Sequence, residues 1–178
     1  MQPMTLFALC GSLRQTSINK ATLHALQTLA PASVRIVLDE DIGLLPLFNP
    51  DIEHLSHPAV ERIKRQLAEA SGLIIASPEY AHGITGVLKN ALDWLVSGPE
   101  FVDKPIMLIN TSARAYHAQQ ALREVVTTMS GKLIDDACVT VPLLSKTPTA
   151  DDIVQMPDVA TALTSGLATF CEAIHSLR

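Results

Sequence analysis

The chain has 178 residues, of which 48% are hydrophobic and 17% charged, with a formal net charge of −5 at pH 7. That is the length of one domain, expected to run over 1–178, with room for a sizeable core. The apolar residues come in short runs, far below the ~20 that a membrane span needs, and the scattered basic residues leave no electrostatic footprint for nucleic acid.

Met1-Gln2-Pro3-Met4 lacks the basic start and long apolar stretch of a secretory signal. A first strand is expected over Thr5 to Cys10, then a polar turn, then a helix from Ser17 to Ala30 with Ile18, Ala21, Ala25 and Leu29 on one face. Strand, turn and helix in that order leave free backbone N–H groups at the helix start, which is an anion site. The side chains suit that use. Gly11 lets the backbone approach a ligand, Ser12 and Ser17 offer hydroxyls, Asn19 an amide, and Arg14 a planar fork of donors matched to phosphate. An ordinary helix cap explains Thr16 and Ser17, but not an arginine, two serines and an asparagine within one short stretch. The loop is therefore read as the holder of a phosphate monoester on a cofactor. Neither G-x-x-x-x-G-K-[ST] nor G-x-G-x-x-G occurs, which disfavours a P-loop hydrolase or a dinucleotide-first Rossmann domain.

Val34 to Leu38 alternates as a second strand, and 39–57 reads as a long loop with an apolar centre, Leu44 to Phe48. That centre either packs over a site or partner, or plugs the local core. A helix from Pro58 buries Val60, Ile63, Leu67 and Ala70, and Leu73 to Ser77 is a strand covered on both sides. After the turn Pro78 to Gly83, a third helix turns Ile84, Val87, Leu88, Ala91 and Leu95 inward. Trp94, Leu95 and Val96 are either subunit surface or core. Ile106 to Ile109 is a fourth strand, followed by the loop Asn110 to His117 and a helix burying Ala118, Leu122, Val125 and Met129. A fifth strand lies between Leu133 and Val141. A proline-bearing linker to about Met156 precedes a last helix with Val159, Leu163, Leu167, Phe170 and Ile174 inward.

Alternating strands and helices imply an α/β fold with right-handed crossovers. Five such units fit a flavodoxin-like three-layer sandwich, a parallel sheet in the order 2-1-3-4-5. Its ligand crevice opens at the switch point between the first and third strands. Three widely spaced cysteines, Cys10, Cys138 and Cys171, without C-x-x-C, point to reduced thiols in the cytoplasm and to no zinc site.

Gly11-Ser12-Leu13-Arg14, with Ser17 and Asn19, resembles the G-S-x-R-x-x-S-x-N phosphate loop of the NAD(P)H-dependent FMN reductases. Pro78-Glu79-Tyr80 and the run Gly86 to Trp94 resemble that family's second motif, and the likeness extends to about residue 115. The resemblance implies FMN as cofactor and NADPH or NADH as electron donor. It assigns Ser12, Arg14, Ser17, Ile18 and Asn19 to the phosphate end, Pro78, Glu79, Tyr80 and Gly83 to the ring end, and Ser112 to a third loop. The implied acceptor is a flavin, quinone, azo compound or metal oxyanion, and the implied assembly a homodimer or homotetramer. Two departures stand out. Ala81 occupies a position where relatives often carry asparagine, and Thr111 to Tyr116 lacks the adjacent glycines common in relatives. Flavin chemistry needs no protein acid or base, so no catalytic residue is expected; His82 is read as a turn histidine and Glu79 as a structural carboxylate. The competing reading is a flavodoxin-type electron carrier, whose phosphate loop lacks the arginine found here at Arg14. A serine hydrolase would need a G-x-S-x-G elbow, which is absent.

Overall fold

The computed structural model describes residues 3–143 and 147–177. Met1 and Gln2 of the N-terminal segment, and 144–146 of the expected linker, lie outside the described residues. Strand β1 (Met4–Cys10) is the centre of the arrangement, because its apolar side chains supply both faces of the sheet. Leu6, Ala8 and Cys10 enter one core, Phe7 and Leu9 the other, as the two-residue period of a strand requires. β1 pairs in parallel with β2 (Val34–Leu38) on one side and β3 (Gly72–Ala76) on the other, and β3 pairs with β4 (Pro105–Asn110). The order is 2-1-3-4-5, as expected.

Helices α1 (Ile18–Leu29), the short α5 (Ala150–Val154) and α6 (Pro157–Ser176) cover the face carrying Leu6 and Ile74. Helices α2 (Pro58–Glu69), α3 (Gly86–Leu95) and α4 (Tyr116–Thr128) cover the face carrying Phe7 and Ile75. Three layers result, with a core on each side of the sheet. Among the described residues no helix is long and apolar enough to cross a membrane.

The far edge departs from the expected fifth strand. Two stubs, β5 (Lys132–Leu133) and β6 (Val139–Thr140), both pair with β4, and a 3₁₀ turn over Asp135–Ala137 separates them. The pairs Ile106↔Leu133 and Ile109↔Val139 show that the edge chain carries extra residues between the same two rungs, a bulge in the ladder. Inside the bulge the Leu108 N–H finds no carbonyl and donates to the Cys138 sulfur at 3.3 Å.

Helix phase needs two corrections. In α1 the buried set is Asn19, Thr22, Leu23, Ala25 and Leu26, so Ile18, Ala21 and Leu29 flank the buried face. Thr22 is buried because its hydroxyl donates to the Ile18 carbonyl at 2.8 Å. In α4 Val126, not Val125, takes the fully buried place. α5 stands in the expected linker, started by a capping box between Thr149 and Asp152.

The long loop after β2 divides its apolar residues. Leu45 is buried and Phe48 packs edge-on against Trp94 at 5.1 Å, while Leu44 and Leu47 are exposed. The Trp94 indole donates to the Pro46 carbonyl at 2.7 Å, and Asn90 both donates to that carbonyl and accepts the Phe48 N–H. Trp94 and Leu95 are thus core, and Val96 is exposed.

Candidate functional site

The loops leaving the carboxyl ends of β1, β3 and β4 converge on a cavity of about 590 Å³, the crevice position expected for this strand order. Every residue assigned to the site from sequence lines it except Gly83. A cavity of about 760 Å³ lies at the amino ends of the strands, between the start of β1 and α6. It has no arginine or lysine in its wall and carries the Glu69 carboxylate. The carboxyl-end cavity is the one whose donors fit a charged ligand.

Its first wall is the turn after β1. Ser17 caps α1, its hydroxyl accepting the Lys20 N–H at 3.3 Å. No acidic side chain sits in the first turn of α1, so the other N–H groups there remain open to the cavity that Ser17, Ile18 and Asn19 line. The Arg14 N–H donates to the Ser12 hydroxyl at 3.4 Å, which folds the loop back on itself. The Arg14 guanidinium is exposed and, among the described residues, makes no hydrogen bond and no ion pair. Gly11 serves a different purpose from the one expected. A Cβ there would lie 2.6 Å from Ser77 Cβ and 3.1 Å from Thr85 Oγ1. The glycine makes room for the neighbouring strand end. Beneath the loop, burial pushes the Cys10 thiol up from its ordinary value, with its S–H aimed at the Ser12 carbonyl. A protonated thiol is no nucleophile.

The second wall follows β3. Pro78, Glu79 and Tyr80 line the cavity, with Tyr80 exposed over it. The Glu79 carboxylate is already engaged, accepting the Ala118 N–H at 2.8 Å and so capping α4. This agrees with its reading as a structural carboxylate. Tyr80 and Gly83 exchange both backbone hydrogen bonds, at 3.1 and 3.0 Å, around Ala81 and His82, which have φ of 49° and 59°. Two left-handed central residues define a type I′ turn. The Gly83 N–H is consumed by that turn, and Gly83 lies outside the cavity wall. His82 is exposed, and its ring stacks on His117 with centroids 4.3 Å apart.

The third wall, after β4, contributes more than Ser112. Asn110 accepts the Ser112 N–H at 3.0 Å, the Ser112 hydroxyl accepts the Arg114 N–H at 3.2 Å, and the Ser112 carbonyl accepts the Ala115 N–H at 3.0 Å. Thr111, buried, donates to Asn19 Oδ1 at 3.2 Å. Thr16, Ser77, Asn110, Thr111, Arg114 and Thr147 are lining residues that sequence reading did not assign. For Arg114 the signal was available, an arginine in a loop beyond a strand end. For Thr147 no local signal exists.

Among the described residues no cluster of three or more metal-ligating side chains occurs. The arrangement is a one-sided donor surface of hydroxyls, N–H groups and two uncompensated guanidinium forks, with no nucleophile–base pair.

The sequence profile of the family described as NADPH-dependent FMN reductase matches residues 4–143. An NAD(P)H-dependent FMN reductase of Pseudomonas aeruginosa is 41% identical over 122 residues, 65% of this chain and 65% of that protein. A 2-hydroxy-1,4-benzoquinone reductase of a Burkholderia species is 43% identical over 122 residues, 65% of this chain and 66% of the relative. The chain therefore spans about two thirds of the length of these relatives. Among solved structures, the flavoenzyme NAD(P)H:(acceptor) oxidoreductase of Paracoccus denitrificans superposes with a TM-score of 0.77 at 24% identity, covering 97% of this chain and 98% of that one. At that identity the likeness speaks for the fold.

Proposed function

The chain belongs to the NADPH-dependent FMN reductase family, and from that premise we infer that it is an FMN-containing oxidoreductase drawing electrons from NADPH or NADH. The observation that carries this reading is the unpaired Arg14 fork beside Ser12, Ser17 and the start of α1, on the wall of a cavity at the switch point of the sheet. These groups fit a phosphate monoester: a guanidinium offers two parallel N–H donors, hydroxyls and helix N–H groups reach further oxygens, and the helix dipole favours the charge. No carboxylate in the first turn of α1 competes for them.

Ser12, Arg14, Ser17, Ile18 and Asn19 would hold the phosphate end, and Pro78, Glu79, Tyr80 and Ser112 would wall the ring end. Bound there, FMN supplies the two-electron hydride chemistry, so the chain is asked for positioning and not for an acid or base. Arg14 neutralises the phosphate, Glu79 fixes α4 against the second wall, and Asn19 and Thr111 lock the first wall to the third.

Quinones and flavins are the acceptors we assign, with azo compounds and metal oxyanions as further candidates of the same two-electron class. The Burkholderia relative, a 2-hydroxy-1,4-benzoquinone reductase, supports the quinone assignment. A cytoplasmic protein fits three free thiols. A homodimer or homotetramer fits the exposed Leu13, Leu44, Leu47 and Val96.

The test is an absorbance spectrum during anaerobic NADPH titration of the FMN-loaded protein. Bleaching of the flavin band on NADPH addition is expected. A bound flavin that NADPH leaves oxidised would instead mark an electron carrier served by a separate reductase.

A further inference from the structure

Arg114 is the second guanidinium on the cavity wall, and the phosphate loop does not need it. Its backbone is held by the Ser112 hydroxyl, while its guanidinium has no carboxylate partner among the described residues. Arg62 is paired with Asp39 and Arg123 with Asp135, whereas Arg35 and Arg65 are as unpaired as Arg114. What sets Arg114 and Arg14 apart is that they alone of the described arginines stand on the cavity wall. We propose that Arg114 receives a second phosphate, one carried by the pyridine dinucleotide donor and not by FMN. This rests on the reading of the cavity as the flavin site.

Three considerations lead there. FMN brings a single phosphate monoester, and Arg14, two hydroxyls and the start of α1 already furnish donors for it. Arg114 is rooted in the loop after β4, and β3 lies between β4 and β1. Two strand spacings put that root about 10 Å from the strand end that launches the phosphate loop. Finally, the chain carries a net charge of −5, so its overall field repels a polyanionic dinucleotide. Capture must then come from a local cation, and the cavity offers one that is uncompensated and set on a hydrogen-bonded turn.

The dinucleotide phosphate could be the 2′-phosphate, present only in NADPH, or the pyrophosphate, common to both donors. The experiment separates them. The oxidised dinucleotides NADP⁺ and NAD⁺ are titrated calorimetrically into the FMN-loaded wild type and Arg114→Gln protein, and FMN affinity is measured for both by flavin fluorescence. Loss of one charge-assisted contact predicts roughly ten- to a hundred-fold weaker dinucleotide binding. A loss confined to NADP⁺ supports the proposal through the 2′-phosphate, and a loss for both supports it through the pyrophosphate. Arg114→Lys, keeping the charge without the fork, should fall between. Unchanged affinity for both dinucleotides overturns the proposal, as does an equal loss of FMN affinity, which would make Arg114 a second ligand of the flavin phosphate. A wild-type protein that binds no FMN overturns the cavity assignment itself, and is seen before any variant is made.

Discussion

The Thr111 hydroxyl donates to Asn19 Oδ1 at 3.2 Å, joining the loop after β4 to the first turn of α1 across the end of β3. Both residues are buried, so the bond is a tie between two walls of one cavity. Thr111→Val should leave the Asn19 oxygen without its donor and cost about 1–3 kcal/mol in urea unfolding. In a double-mutant cycle with Asn19→Ala, a coupling of about 0.5–1.5 kcal/mol is expected. Additive single-mutant losses would show that the two walls are held independently.

Arg14→Ala should weaken FMN binding ten- to a hundred-fold, the value of roughly 1.5–3 kcal/mol for a charge-assisted contact. Riboflavin, lacking the phosphate, should bind the variant and the wild type alike. Flavin fluorescence titration of both ligands decides it. Equal losses would make Arg14 a structural residue of the loop.

Ala81 is held at φ 49° in the type I′ turn, a conformation that costs an L-residue with a Cβ roughly 1–2 kcal/mol. Asparagine tolerates that region better. Ala81→Asn should therefore stabilise the protein by about 0.5–1 kcal/mol, seen as a higher denaturant midpoint with unchanged slope. A lower midpoint would mean that the methyl group makes packing contacts worth more than the strain.

Cys138 accepts the Leu108 N–H and donates to the Ile134 carbonyl at 3.5 Å. Cys138→Ala should orphan the Leu108 N–H at about 1–3 kcal/mol, and Cys138→Ser should recover part of that. Burial raises this thiol above its ordinary value of 9.0, so the folded state holds its proton longer than the unfolded chain. The associated stability is fully present below pH 9 and falls as pH rises above it. Lys104 works in the opposite sense. Its ammonium donates to the Leu67 and Ala70 carbonyls, and burial lowers it below 10.5, so its desolvation cost is relieved as pH approaches that value. Unfolding curves across pH 8–10 should show a shallower decline in Cys138→Ala than in the wild type.

How far the sequence could be read depended on whether each residue followed the usual partition of apolar and polar groups. β1, β3 and the stripes of α2 and α6 were legible because their apolar spacing and their burial coincide. α1 was misphased because Asn19 and Thr22 are polar yet buried, each with its own partner. Periodicity counts such residues as solvent-facing. α5 was missed although Thr149 and Asp152 carry a capping-box pattern, since five residues give too little periodicity to notice. That Ser12, Arg14, Ser17 and Asn19 share one cavity wall was legible from side-chain chemistry alone. Thr147 was not legible, because its relevance comes from where the crossovers deliver it, which only tertiary structure decides. Arg114 stood in a loop beyond a strand end and was passed over. Gly83 was assigned to the ring end by the family resemblance, whereas its N–H closes a turn.

The broken ladder beside β4 has a consequence for how copies of this protein meet. A complete outer strand would present a row of unpaired N–H and C=O groups on which another chain could template a sheet. Here each stub is two residues long, with a 3₁₀ turn between them. An incoming strand would find no continuous run to dock along, so that side of the molecule is guarded against cross-β growth even when crowded.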